Sequence, residues 1–91
     1  MKSAYELAME RLSKSAPAKS LTTQQKADLA ELESLYKSRL AQLDLRTQAE
    51  LAAAQAADDG DRVQLIRSHF LHEKAQLEGE LAEKKDAIRQ G

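Results

Sequence analysis

Residues 29–54 read LAELESLYKSRLAQLDLRTQAELAAA, and this stretch decides the fold. Leu29-Ala30, Leu40-Ala41 and Leu51-Ala52 recur every 11 residues, and Leu32, Leu43 and Ala54 follow each pair at the same offset. The apolar seam is Leu29, Leu32, Tyr36, Leu40, Leu43, Thr47, Leu51 and Ala54, spaced 3-4-4 in place of the 3-4 of a heptad. Eleven residues in three turns is about 3.67 per turn, close to a straight α-helix with a slight right-handed tendency. Nothing from Thr23 to Ala57 breaks this helix. Thr22, with Gln25 three residues on, supplies a capping box at its start.

Asp58-Asp59-Gly60-Asp61 is the stop. Gly60 suits the left-handed conformation that ends helices, and Asp59 or Asp61 suits the cap of the next one. A second long helix then runs over Val63, Ile66, Phe70, Lys74, Leu77, Leu81, Lys85 and Ile88, again spaced 3-4-4, with Gly79 its weak point. So short a connection makes the two helices antiparallel neighbours. Pairing positions whose numbers sum to about 118 sets Phe70 near Thr47 and Leu51, and Leu77 near Leu40 and Leu43. The same pairing brings Leu81 to Tyr36, and Ile88 to Leu29 and Leu32, so the patterns of the two helices agree.

Upstream, Ser3 and Glu6 form a second capping-box candidate, and Tyr5, Ala8 or Met9, and Leu12 fall on one side of a short helix. Pro17 disfavours helix at Ala16, which leaves a small-residue linker. The expected fold is all-α, one domain over 1–91. It has a short N-terminal helix at about 4–15, a linker at 16–21, and a long antiparallel hairpin with helices at about 22–58 and 62–90. Its expected core is Leu29, Leu32, Tyr36, Leu40, Leu43, Leu51, Ile66, Phe70, Leu77, Leu81 and Ile88.

Composition agrees with long helices. The 91 residues hold three Gly, one Pro and no Cys, and 32% are charged. No disulfide or thiolate metal site is available to reinforce so small a core, which leaves oligomerisation as the common remedy. The 14 basic and 15 acidic residues give a net charge of −1, so no strong field points to nucleic acid or an anionic membrane. The charge is uneven: residues 1–20 are basic, and 21–61 carry eight acids against four bases. No apolar run approaches a membrane span or a secretory leader, and the expected location is the cytoplasm.

Each long helix carries a second apolar stripe away from the seam: Ala30, Ala41, Leu45, Ala49, Ala52 and Ala56 on the first, Leu71, Ala75 and Ala82 on the second. Small residues on such a face let another helix approach closely. All of these except Ala56 form the candidate oligomer interface, eight residues, and the expected assembly is a homodimer forming a four-helix bundle.

Residues that carry chemistry are sparse. His69 and Glu73 are one helical turn apart, Glu50 can approach across the hairpin, and His72 is rotated outward. That set lacks the ligands to close a coordination shell. Asp58, Asp59 and Asp61 resemble the start of a calcium loop, but the twelfth position, which needs a bidentate Glu, is His69. The serines have no histidine and carboxylate partners in a pocket, and there is no phosphate-binding Gly loop. The reading is therefore not an enzyme, with no cofactor and no metal. Lys74 and Lys85 at the seam, with Arg62, Arg67, Lys84 and Arg89, are the positions that would touch nucleic acid, but acids are interleaved with them.

The segment 60–70 resembles the second helix of the UVR hairpin of excision-repair and Clp-adaptor proteins. The likeness lies in an apolar residue (Ile66), an Arg (Arg67), two variable residues and an apolar residue (Phe70). The family's acidic-aromatic turn and paired alanines are absent, and no function is carried over. The expected function is a structural or protein-interaction module that self-associates through its hairpin. The alternative is a small adaptor for nucleic acid or a nucleic-acid-processing complex, working through basic positions of the first and third helices.

Overall fold

The computed structural model describes residues 3–7 and 20–91. Its elements are α1, of which residues 4–7 are described, α2 (Thr23–Ala56) and α3 (Gly60–Gln90). The last two form a long antiparallel hairpin. The expected continuation of α1 to about residue 15, and the linker after it, lie outside the described residues. The radius of gyration is 21.3 Å, whereas a compact chain of this length would have about 12 Å. The hairpin is a rod, because its two helices of roughly 50 Å pack side by side.

Local chemistry sets the described helix starts and the end of α2. At the start of α1, the Glu6 amide donates to Ser3 Oγ at 3.1 Å. At the start of α2, the Gln25 amide donates to Thr22 Oγ1 (3.0 Å), and the Thr22 amide donates back to Gln25 Oε1 (2.8 Å). The same Gln25 side chain uses its nitrogen to donate to the Ile88 carbonyl at 2.9 Å. One amide thus closes the capping box and ties the two helix ends together at the open end of the rod.

At the other end, α2 stops two residues earlier than expected. The Asp59 amide reaches Ala54 O and the Asp58 amide reaches Gln55 O, both at 3.0 Å, the paired bonds of a Schellman termination. The left-handed residue is Asp58 (φ 54°), not Gly60. Asp59 caps α3 by accepting from the Arg62 amide at 3.1 Å, which commits Gly60 to the first helical position. Asp tolerates the left-handed region better than most residues, so position 58 can take it. Two outcomes follow. A Cβ at Gly60 meets nothing within 4 Å, so Gly60→Ala should raise stability by roughly 0.5–1 kcal/mol. Asp58→Val should lower it by about 1–2 kcal/mol. Urea midpoints check both, and a left-handed Gly60 would reverse the first.

All eight α2 seam positions are buried or half-buried, in the 3-4-4 spacing along the whole helix. On α3 the covered positions are Val63, Ile66, Phe70, Glu73, Leu77, Leu81, Lys85 and Ile88. Lys74, placed at the seam by the repeat, is exposed, and Glu73 turns inward instead. The cause is on the other helix. Arg46 Nη2 lies 2.6 Å from Glu73 Oε2, a charge-assisted bond that lets a carboxylate tolerate half-burial. The eleven core residues expected from the sequence are all buried or half-buried. Leu43 and Leu77 border one crevice, Thr47 and Phe70 a second, and Leu32 and Ile88 a groove.

Candidate functional site

The surface outside the seam has two broad faces and a rear edge on each helix. The Arg46–Glu73 pair marks one face and the Lys85–Glu33 pair (2.7 Å) marks the other. At about 100° per residue, Ala30 and Ala41 lie within a quarter turn of Glu33, and Ala52 lies near that limit. Leu71, Ala75 and Ala82 lie within a quarter turn of Lys85 and turn away from Glu73. The second stripes of the two helices therefore share the Glu33–Lys85 side. All eight candidate interface residues are exposed in the single chain, Leu45 by 68%. Lys37, Asp44, Arg67 and Glu78 project from the same face between the two sets, and each is exposed.

The rear of α2 is different. Ala27, Ala30, Ser34, Ser38, Ala41, Leu45, Ala49, Ala52 and Ala56 repeat the 3-4-4 spacing on the side opposite the seam, and all are exposed. No charge interrupts these positions over roughly 43 Å of helix. Ala27, Ser34 and Ser38 extend the sequence-derived stripe. Ser34 lies 7 residues from Ala41, Ser38 11 from Ala49 and Ala27 22 from Ala49, and these offsets of the repeat were the signal that could have found them.

The Arg46–Glu73 face holds the hairpin's polar cluster. The Tyr36 ring is fully buried, with Arg39 Cζ 5.0 Å and Lys84 Nζ 5.2 Å from its centroid. Its hydroxyl accepts from Lys84 Nζ at 2.7 Å and donates to Glu80 at 3.2 Å. Glu80 and Lys84 are one turn apart on α3, and a seam hydroxyl in need of partners was their signal. Nearer the turn, His69 Nδ1 lies 3.3 Å from Glu73 Oε1. Glu50, His69 and Glu73 border one crevice of about 30 Å³, and the cation already at Glu73 is the Arg46 guanidinium. Among the described residues, no three metal-ligating side chains converge.

On the opposite face Lys85 holds the Glu33 carboxyl below the ordinary carboxylate range, first by its hydrogen bond and then by its charge. A depressed carboxylate contributes stability at neutral pH and loses it as pH falls through its folded value. Glu33 is well exposed, so the contribution is small. Of the bases considered for nucleic acid, Lys84, Lys85 and Arg89 each face a partner within the hairpin: Tyr36, Glu33 and Asp86. Lys74, Arg62 and Arg67 are exposed.

Comparison with protein-family models, curated proteins and solved structures finds no match for this chain. The likeness of residues 60–70 to a UVR hairpin rests on those residues alone. Among the described residues, no helix is long and apolar enough to cross a membrane.

Proposed function

We propose that this chain is a cytoplasmic, non-enzymatic protein-interaction module that self-associates through its hairpin, using the rear of α2 as the contact. The uncharged, exposed stripe from Ala27 to Ala56 carries this reading. The amount of surface supports it. The chain exposes 7317 Å², against about 5,300 Å² for a compact monomer of its mass. A dimer contact of standard size covers roughly 800 Å² per chain, well within that excess.

An antiparallel pair of α2 helices centred on Ala41 sets Leu45 of one against Ser38 of the other, and Ala against Ala or Ser elsewhere. Side chains this small let the backbones approach, and the helix dipoles oppose. The result is a dimer of four helices with the two α2 helices central. Leu71, Ala75 and Ala82 border the contact, because the charges on the broad face keep it from centring there.

Light scattering at micromolar concentration tests the proposal. The parent should have twice the chain mass. Ala41→Glu puts two unpaired carboxylates at the centre, a penalty on the order of 3–5 kcal/mol, and should give single-chain mass with the helical circular dichroism retained. A monomeric parent, or a variant with parental mass, would refute it.

A further inference from the structure

A groove of about 450 Å³ opens on the face carrying the Tyr36 cluster, near the open end of the rod. Leu32, Leu35, Ala87 and Ile88 line it, with Asp28, Glu31 and Lys84 at its edge. Leu35 is 45% exposed, although it is a large apolar side chain one position from the fully buried Tyr36. It belongs neither to the seam nor to the rear stripe of α2. The described part of α1 has the opposite need: Tyr5 is 74% exposed and Leu7 is also exposed. A helix this short is not stable in water without something to pack on.

We infer that this open-end groove is the seat of the chain's own N-terminal segment, which docks through Tyr5. Three observations select that occupant. The first is reach. With the helix kept to about residue 15, its eight steps beyond Leu7 and the five extended steps on to Ser20 span roughly 29 Å, whereas Leu35 lies about 22 Å along α2 from Ser20. The second is charge: residues 1–20 carry Lys2, Arg11, Lys14 and Lys19 against Glu6 and Glu10, and the groove edge offers Asp28 and Glu31 against Lys84. The third is pattern. Tyr5, Met9 and Leu12 share one side by sequence spacing, an apolar edge suited to a groove walled by Leu32, Leu35 and Ile88. The tether keeps the segment at an effective concentration in the millimolar range, so docking within one chain wins over capture by another at micromolar protein. The inference is independent of self-association along α2.

The absence of native cysteine makes the test clean. In the full chain carrying Ala8→Cys and Ala87→Cys, mild oxidation should give an intrachain disulfide, at a rate independent of protein concentration. The control pair Ala8→Cys and Lys26→Cys, with its second thiol exposed near the open end but on the Glu33 side of the hairpin, should oxidise at least tenfold more slowly. Adding Tyr5→Ala to the first pair should slow it about tenfold. In the unmodified chain, nuclear Overhauser contacts should join the Tyr5 ring to the methyl groups of Leu35 and Ile88. Equal rates for the two pairs, a disulfide formed mainly between chains, or absence of those contacts would each overturn the inference.

Discussion

Leu43→Asp should unfold the hairpin at neutral pH, whereas Leu45→Asp, two residues away, should leave it folded. Leu43 is 4% exposed and faces the crevices that also contain Leu77, Thr47, Ile66 and Phe70. Removing a buried Leu side chain alone costs about 2–5 kcal/mol. A carboxylate in its place adds several kcal/mol of lost hydration, because the two guanidinium groups bordering the crevice are engaged, Arg46 by Glu73 and Arg39 over the Tyr36 ring. Small domains have roughly 5–15 kcal/mol in total, and a two-helix rod belongs near the lower bound. The sum reaches or exceeds that reserve. Leu45 is 68% exposed, so its substitution removes little burial. Far-UV circular dichroism at 25 °C decides the matter. Leu43→Asp should lose most of its helical signal and its cooperative melt. Leu45→Asp should keep both, but it should weaken any association that uses the rear of α2. Parent-like helicity in Leu43→Asp would mean that the 3-4-4 seam is not where the helices hold together.

That contrast depends on helical phase, and phase was legible where side-chain chemistry was unambiguous. In α2, Leu and Tyr at 3-4-4 spacing leave one side to bury, and the covered positions follow it from Leu29 to Ala54. The Thr22–Gln25 box was legible too, because both of its bonds are local in sequence. In α3 the repeat places Lys74 at the seam, but Glu73 is an equally long charged side chain about 100° away, and nothing within the helix separates the two. Arg46, 27 residues earlier, makes the choice. Position 60 fails for the opposite reason. Glycine's freedom to be left-handed stood beside two candidate caps, Asp59 and Asp61, and it is the choice of Asp59 that forces Gly60 into helical geometry.

The surfaces were legible only in part. Alanines at 30, 41, 49 and 52 stood out because they share the period of the leucines. Serines at 34 and 38 complete the same rear stripe but read as ordinary polar surface. Leu35 was invisible as part of a surface. Its neighbours in the groove, Ala87 and Ile88, come from the far end of the other helix, and only the register joins them. The Gln25 bridge to the Ile88 carbonyl spans 63 residues and has no sequence signal beyond the capping box it shares.

Tyr36→Ala should remove most of the remaining stability margin, and Tyr36→Phe very little of it. The ring is fully buried midway along the contact between α2 and α3, so its truncation leaves a cavity with few ways to collapse in a two-helix seam. Aromatic truncations of this kind cost about 3–5 kcal/mol. They also remove the ring that faces Arg39 and Lys84, worth roughly 0.5–1 kcal/mol per cation at sites near water. The hydroxyl is a lesser matter. Its partners, Glu80 and Lys84, are exposed residues that water can satisfy, so Phe should forfeit only about 0.5–1.5 kcal/mol. Urea unfolding of the three proteins gives both differences directly. A loss for Phe comparable to that for Ala would show that the rod is held at Tyr36 by its polar cluster and not by the buried ring. The seam would then owe its register to Glu80 and Lys84, and the double substitution of those residues should reproduce the Phe phenotype without touching the aromatic core.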